Sequence, residues 1–258
     1  MLITFYKYQG TGNDFVMIDN RSNNFPKNNT KLISHLCDRK FGIGADGLIL
    51  LENDEAVDFK MVYYNADGNE STMCGNGGRC LVAFANFLGV INSKTTFTAV
   101  DGLHYAEIEG ITVKLQMQNV PLVEVFDNYT FLDTGSPHHV QKIENLSTFN
   151  VKENGAKLRY SKYGESGSNI NFVEKLNADI FSVRTYERGV EDETLSCGTG
   201  VTAVAIAMNE IGETTNNSIQ LNTLGGPLKV SFTKNGEGYK NIFLEGPAEQ
   251  VFKGSIEW

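Results

Sequence analysis

The sequence predicts an α+β protein of two similar domains, each a curved sheet wrapped around a central apolar helix. The first observation behind this prediction is that Cys74–Gly77 and Cys197–Gly200 share the pattern C-G-x-G and each lead into an apolar run. The second is that the same order of strands and helices surrounds both segments. The period of 123 residues (197 − 74) is far longer than the units of solenoid proteins, so it indicates a duplicated domain.

Hydrophobic periodicity and turn residues predict the order β-β-α-β-β for the first half, then the Cys74 helix, then three strands. The predicted ranges are strands Leu2–Tyr8 and Phe15–Asn20, a helix at Lys31–Arg39, strands Leu48–Glu52 and Phe59–Asn65, the helix after Cys74, and extended segments at Thr95–Ala99, Leu103–Ile108 and Thr112–Gln118.

The second half repeats this order around Cys197. The predicted ranges are strands Tyr129–Thr134 and His139–Ile143, a helix at Leu146–Leu158, strands Ile170–Leu176 and Phe181–Glu187, the helix after Cys197, and segments at Ser218–Leu221, Leu228–Thr233, Ile242–Glu245 and Gln250–Ile256. We expect the two domains to join near Asn119–Pro121.

The two cysteine helices are apolar around most of their circumference, which predicts that each is enclosed by the sheet of its own domain. Gly89 and Gly212 each stand 15 positions after the cysteine (89 − 74 and 212 − 197), as the residue that ends a helix does. An enclosed helix can present only its N-terminus at an open end of the sheet. We therefore expect the two N-termini to face one cleft between the domains, where small molecules commonly bind.

A thiol at a helix N-terminus ionises more readily than a free one, because the unpaired N–H groups there favour negative charge. One thiolate and one thiol on opposite faces of a carbon can remove one proton and supply another, which inverts the stereocentre. The N–H groups also stabilise a carboxylate that gains enolate charge. This chemistry requires no cofactor, and the sequence contains no recognisable pyridoxal-phosphate or nucleotide motif.

Composition narrows the function classes. A net charge of −9 over 258 residues argues against nucleic acid as a partner, and the longest apolar runs fall short of a membrane span. The N-terminus resembles a strand rather than a secretory signal, so we expect a cytoplasmic protein with a small-molecule substrate. A homodimer is compatible with the sequence.

The other cysteines, Cys37 and Cys80, are expected to be core residues, and no spacing suggests a disulfide framework or a metal site. Other interpretations of Cys74 and Cys197 are a cysteine hydrolase using His138 or His139, a redox pair, and helix starts in which small residues merely pack closely.

The chain resembles the diaminopimelate epimerase family from end to end. The motifs that carry the resemblance are Gly10-Thr11-Gly12-Asn13-Asp14-Phe15, Gly42-Ile43-Gly44-Ala45-Asp46-Gly47, Asn65-Ala66-Asp67-Gly68, Met73-Cys74-Gly75-Asn76-Gly77-Gly78-Arg79-Cys80, Gly135-Ser136-Pro137-His138, Tyr186-Glu187-Arg188-Gly189 and Ser196-Cys197-Gly198-Thr199-Gly200. Each motif alone is weak, whereas the set in this order is specific. A racemase or epimerase of the same fold acting on another amino acid is the main rival.

The resemblance implies a pyridoxal-independent isomerase that interconverts LL- and meso-diaminopimelate, a step of lysine and peptidoglycan precursor biosynthesis. It implies mostly antiparallel sheets in two pseudo-symmetric domains, residues 1–118 with the returning segment 249–258, and residues 119–248. Cys74 and Cys197 would be the base and acid. The other implied roles are the backbone N–H groups of Gly75, Asn76, Gly198 and Thr199 on the reacting carboxylate, Asn13 on the reacting amino group, Asn65, Asn169 and Arg188 on the distal end with Glu187 receiving its ammonium, and His138 and Glu187 tuning the thiol pKa.

Two positions depart from the family pattern. Many members have Gln where this chain has Gly47, so we expect backbone or water to replace a contact to the reacting amino group. Many have Asn where Ser136 stands, which shortens one donor near the distal carboxylate.

Overall fold

The computed structural model describes residues 2–258. The chain forms two compact units, one containing the residues up to Leu115 together with Gly246–Trp258, and the other containing Gln116–Glu245. No helix in the described chain is long and apolar enough to cross a membrane.

The first unit contains two α-helices and most of its strands in the first 116 residues, with one strand from the C-terminus. Its elements are β1 (Leu2–Gly10), β2 (Asn13–Asp19), α1 (Thr30–Cys37), β3 (Gly47–Glu52), β4 (Phe59–Asn65), α2 (Gly75–Phe87), β5 (Lys94–Ala99), β6 (Gly102–Glu109), β7 (Thr112–Gln116) and β17 (Glu249–Glu257).

The second unit repeats this arrangement with one short additional strand, β13, and a 3-10 turn. Its elements are β8 (Val123–Val125), β9 (Thr130–Asp133), β10 (Pro137–Lys142), the 3-10 turn Leu146–Thr148, α3 (Val151–Tyr163), β11 (Asn169–Lys175), β12 (Ile180–Glu187), β13 (Asp192–Thr194), α4 (Gly198–Glu210), β14 (Ser218–Thr223), β15 (Gly226–Asn235) and β16 (Gly238–Pro247).

Strand pairing follows the same sequence in both units, which confirms the predicted α+β class and the internal duplication. From β1 to β7 the successive pairs are antiparallel, parallel, antiparallel, parallel, antiparallel and antiparallel. The series β9, β10, β11, β12, β14, β15, β16 gives the same pattern. The strand that begins each series, β1 or β9, also has an antiparallel neighbour on its other side. This neighbour is β17 for β1 and β8 for β9.

The central helices α2 and α4 are enclosed, as predicted. Residues 75–85 of α2 are all buried, and α4 is buried from Gly200 to Met208. Helix α2 packs on β1, β2, β3 and β6, and α4 on β9, β10, β11 and β15. Gly89 and Gly212 follow the helices with φ values of +70° and +75°, the left-handed conformation expected of a helix-ending glycine.

A second helix in each unit covers the opposite face of the sheet. Helix α1 buries Leu32, Ile33 and Leu36 against Val16 and Leu48. Helix α3 and the preceding 3-10 turn pack on β11 and β12. Because both faces are covered, β2 and β3 are apolar without alternation, as buried strands are.

The predicted helix Leu146–Leu158 is wrong in its boundaries. The chain forms a 3-10 turn at Leu146–Thr148, and α3 begins only at Val151, where Asn150 caps it by accepting from the Glu153 N–H at 3.2 Å. The helix then continues to Tyr163 and ends before Gly164, whose φ is +55°. An asparagine cap inside the polar stretch marked this start, and apolar periodicity overlooked it.

Candidate active site

Cys74 occupies the N-cap position of α2, where the extended strand conformation changes to helix. Its side chain makes no capping hydrogen bond, so the thiol does not occupy the N–H groups of the first helical turn. The Sγ atom lies 3.7 Å from Asn13 Oδ1. Cys74 is half-buried, in contrast to Cys80 one turn and a half later, which is fully buried. The predicted Cys74 and Asn13 are therefore brought together.

The amide of Asn13 is held in one orientation. Its Nδ2 donates to Asp46 Oδ2 at 2.6 Å, and its Oδ1 accepts from Asn76 Nδ2 at 3.3 Å. The oxygen of this amide consequently faces the helix N-terminus and the Cys74 thiol. An acceptor in that place suits an ammonium group, which has only protons to donate.

Asp46 is itself held by a cluster of charges that the sequence interpretation overlooked. Arg39 donates to both carboxylates, to Asp14 at 2.7 and 3.0 Å and to Asp46 at 2.7 Å, and Lys7 lies 2.7 Å from Asp14. Burial opposes ionisation of Asp14, but the hydrogen bonds from Arg39 and Lys7 outweigh burial and lower its pKa to about 2. Asp14 and Asp46 each belong to one of the motifs that carry the family resemblance. That membership is the sequence feature from which a role at the site could have been predicted.

Arg79 connects the start of α2 to the turn that precedes Asn13. The side chain is fully buried, and it donates to the Gly75 carbonyl at 3.3 Å and to Thr11 Oγ1 at 3.2 Å. Among the described residues, Arg79 Nε has no hydrogen-bond partner, and burial lowers the pKa of Arg79. Arginine nonetheless stays charged in proteins, so Arg79 adds positive charge beneath the helix N-terminus.

Asn65 and Gly47 lie opposite each other at the ends of β4 and β3. Asn65 is exposed. A Cβ atom at Gly47 would lie 2.6 Å from Tyr63 Cε2 and 2.6 Å from the Tyr64 carbonyl oxygen. The ring of Tyr63 therefore occupies the space that a side chain at position 47 would need. The sequence pattern alone did not predict this packing.

Cys197 occupies the N-cap of α4, the position equivalent to that of Cys74, and also makes no capping hydrogen bond. The residue is 7% exposed, and its Sγ lies 3.4 Å from Thr199 Oγ1. A Cβ at Gly200 would come within 2.6 Å of Asn171 Oδ1 and 3.3 Å of the Cys197 sulfur. The small residue after Thr199 therefore allows α4 to begin close to β11.

Polar side chains from β10 and β11 surround the first turn of α4. His138 Nε2 lies 3.1 Å from Ser136 Oγ, which lies 3.4 Å from Thr199 Oγ1 and accepts from Asn169 Nδ2 at 3.1 Å. The two strands are parallel neighbours with His138 opposite Asn169, so register brings these residues together. Burial, with the Arg188 cation nearby, lowers the pKa of His138 to about 3, so this imidazole is neutral.

Arg188 and Glu187 stand at the end of β12. Asn169 Oδ1 accepts from the backbone N–H of Arg188 at 2.9 Å, and the Arg188 Nη1 donates to the Ser166 carbonyl at 2.9 Å. Glu187 is half-buried and accepts from Thr194 Oγ1 at 2.9 Å. The exposed guanidinium is therefore held at the Ser166 carbonyl. Arg188 and Glu187 are adjacent in the chain, and together they offer a cation and a carboxylate to a group with both negative and positive charge.

Buried neutral histidines predict a stability that falls in acid. Burial lowers the pKa of His138 to about 3 and that of His139 to about 4, whereas an unfolded histidine titrates near pH 6.5. Below that pH the unfolded chain binds protons that the folded chain does not. The free energy of unfolding should thus be fully retained above about pH 6.5 and decrease by about 1.4 kcal/mol per pH unit for each histidine below it.

Urea unfolding monitored at about pH 7 and about pH 5 measures this slope. The His139→Gln variant should show a shallower decrease than the parent chain, since one of the two groups is gone. Identical slopes in the two proteins would contradict the assignment of the acid response to these histidines.

The chain matches one protein family over nearly its whole length. The family model described as diaminopimelate epimerase matches residues 5–123 and 130–251. The diaminopimelate epimerase of Flavobacterium psychrophilum is 66% identical over 253 residues, covering 97% of this chain and 99% of its own length. That of Chlorobaculum tepidum is 42% identical, covering 96% and 98%.

Solved structures share the fold at much lower identity. A phenazine biosynthesis protein of the PhzF family from Bacillus anthracis matches with a TM-score of 0.80 at 13% identity, over the whole of both chains. A hydroxyproline epimerase from Agrobacterium vitis matches with a TM-score of 0.73, also at 13% identity, over 99% of this chain and 92% of its own. At such identity these two proteins support the fold class alone.

Proposed function

This chain belongs to the diaminopimelate epimerase family, and we propose that it interconverts LL- and meso-diaminopimelate by two-base proton transfer at one α-carbon. The observation that carries the proposal is the matched pair of thiols, Cys74 and Cys197, each at the N-cap of an enclosed helix in its own unit. The two equivalent positions supply one acid and one base.

The reaction proceeds through a carbanion stabilised as an enediolate. A thiolate removes the α-proton and becomes a thiol, while the electron pair of the broken C–H bond moves into the substrate carboxylate. The opposite thiol then gives its proton to the other face of the carbon and becomes a thiolate, so that protons and charge balance. The N–H groups of the first turns, at Gly75, Asn76, Gly198 and Thr199, hold the carboxylate as its negative charge grows.

The two units supply different recognition groups in this proposal. Asn13 offers an oriented amide oxygen to the reacting ammonium, supported by its bond to Asp46. Arg188 binds the distal carboxylate, Glu187 the distal ammonium, and Asn65 and Asn169 complete the distal contacts. Binding at atoms that never react still helps, because it positions the α-carbon against the thiols.

Reduced thiols are a condition of this chemistry, and none of the four cysteines forms a disulfide in the described residues. Cys37 and Cys80 are buried, as expected, and burial raises the pKa of each to about 12, so neither is a candidate base. A cytoplasmic location, where thiols are kept reduced, fits the proposal.

Incubation with LL-diaminopimelate in deuterated water tests the function. We expect the meso isomer to form with one deuterium at the inverted α-carbon, read by mass spectrometry together with chiral chromatography. Formation of meso product that retains the substrate proton throughout would argue against two exchangeable bases, and absence of any product would remove the substrate assignment.

A further inference from the structure

We infer that Ser136 and Thr199 form a one-directional hydrogen-bond chain that presents an O–H group to the sulfur of Cys197 and so stabilises its thiolate. Ser136 and Thr199 are positioning residues, because they act through Cys197. The inference rests on the proposed function only in taking the Cys197 thiolate to be a catalytic base. The hydroxyl of Thr199 lies 3.4 Å from the sulfur, a distance at which either group could be the donor. The contacts around Ser136 and Thr199 determine which group donates each hydrogen bond.

The first residue that fixes the order of donors and acceptors is Asn171, whose side chain is fully buried. Its Nδ2 lies 3.0 Å from the His139 carbonyl oxygen, which can only accept, and its Oδ1 accepts from Thr185 Oγ1 at 2.9 Å. The same Nδ2 lies 3.1 Å from His138 Nδ1. Because an amide NH₂ faces it, Nδ1 must be the unprotonated nitrogen, and the neutral ring carries its proton on Nε2.

Ser136 receives that proton as a hydrogen bond. His138 Nε2 lies 3.1 Å from Ser136 Oγ and is now a donor. Asn169 Nδ2 donates to the same oxygen at 3.1 Å, and its amide orientation is fixed because Asn169 Oδ1 accepts from the Arg188 N–H. Two donors fill the lone pairs of Ser136 Oγ, so its own proton is left for Thr199 Oγ1 at 3.4 Å.

The last hydrogen bond of the chain runs from the Thr199 hydroxyl to the Cys197 sulfur. Since its oxygen accepts from Ser136, its own proton points to the remaining neighbour, Cys197 Sγ. A hydroxyl donor favours the charged sulfur over the neutral thiol, because hydrogen bonds to ionised groups are the stronger ones. The two amides that set the order of donors are fixed by backbone groups that act in one sense only, Asn171 by the His139 carbonyl and Asn169 by the Arg188 N–H, so rotation of a single side chain cannot reverse it.

Ionisable groups of this unit near the hydrogen-bond chain include His138 on β10, and Glu187 and Arg188 at the end of β12. His138 is neutral and acts only through its N–H. Cys74 has a different side-chain partner, since an acceptor oxygen, Asn13 Oδ1, faces its sulfur. The Thr199 hydroxyl therefore provides a thiolate on the Cys197 side before substrate binds.

Alkylation by iodoacetamide as a function of pH, followed at Cys197 by peptide mass spectrometry, tests the inference without any amino-acid substrate. In a Cys74→Ala background, Cys197 titrates without a second active-site thiol. Thr199→Val removes the hydroxyl at nearly constant shape, and the midpoint should move up by about one pH unit, the size of a lost charged hydrogen bond. Thr199→Ser keeps the hydroxyl and should keep the midpoint.

Ser136→Ala frees the Thr199 hydroxyl to rotate, so we expect a smaller upward shift than for Thr199→Val. In chains that retain both cysteines, the acid limb of the kcat/KM profile should move in the same direction. An unchanged midpoint in Thr199→Val, or equal shifts in the Val and Ser variants, would overturn the inference. The titration can succeed even if diaminopimelate is not the substrate, so failure of the inference and failure of the proposed function are distinguishable.

Discussion

Replacement of either Cys74 or Cys197 by alanine is expected to abolish epimerisation. Inversion needs a proton acceptor on one face of the α-carbon and a proton donor on the other, and each variant lacks one of them. Loss of a positioned acid or base costs about 10²–10⁴-fold in rate, and we expect the upper part of that range. Chiral chromatography of the products at fixed enzyme concentration measures the loss.

Cys37→Ala is the matched control for loss of a thiol. Cys37 is the last residue of α1 and is buried in the core cluster that α1 forms with β2 and β3, so its replacement should lower stability modestly and leave turnover in place. Serine variants separate the two roles further, since elimination from a β-halogenated analogue needs only one base and can survive in Cys74→Ser or Cys197→Ser. Full epimerase turnover in either alanine variant would refute two-base catalysis.

The duplication was predictable because it rests on local signals. Apolar helices with glycine at both ends and short strands with turn residues between them are visible along the chain, and each of the two central helices was found where expected. The short strands β8 and β13 were not predicted, since three residues carry no periodicity of their own and exist only through pairing with β9 and β12. Tertiary pairing, rather than local pattern, makes them strands.

The positions of Cys74 and Cys197 at two helix starts were predictable from the sequence, whereas the contacts between the polar side chains around them were not. Cys74 and Cys197 stand out through a repeated motif. By contrast, Asp46 reaches Asn13 only because β2 and β3 are parallel neighbours, with Phe15 opposite Gly47. Asn171 reaches His138 through the equivalent pairing of β10 and β11. Register between strands about 30 residues apart decides which amide faces which ring, and a single sequence does not display that register.

Arg188→Ala is expected to lower kcat/KM for diaminopimelate by about 100-fold, through turnover as well as affinity, because distal binding energy positions the α-carbon. The exposed guanidinium uses one nitrogen on the Ser166 carbonyl, and the planar fork suits a carboxylate, which an ammonium cannot bind in the same bidentate way. Arg188→Lys should therefore recover only part of the loss. Arg21→Ala, which removes another exposed cation, paired with Asp19, is the control for charge alone.

Comparing substrates with and without a distal amino-acid group tests whether Arg188 acts by binding that group. Proline and lysine lack the distal amino-acid group, so the parent enzyme should turn them over poorly, and Arg188→Ala should change their rates far less than that of diaminopimelate. Steady-state kinetics on all three substrates measures the difference. If the parent chain racemised proline or lysine as well as it epimerised diaminopimelate, Arg188 and Glu187 would not form a distal clamp, and the two thiols would serve an amino acid recognised at its reacting end alone.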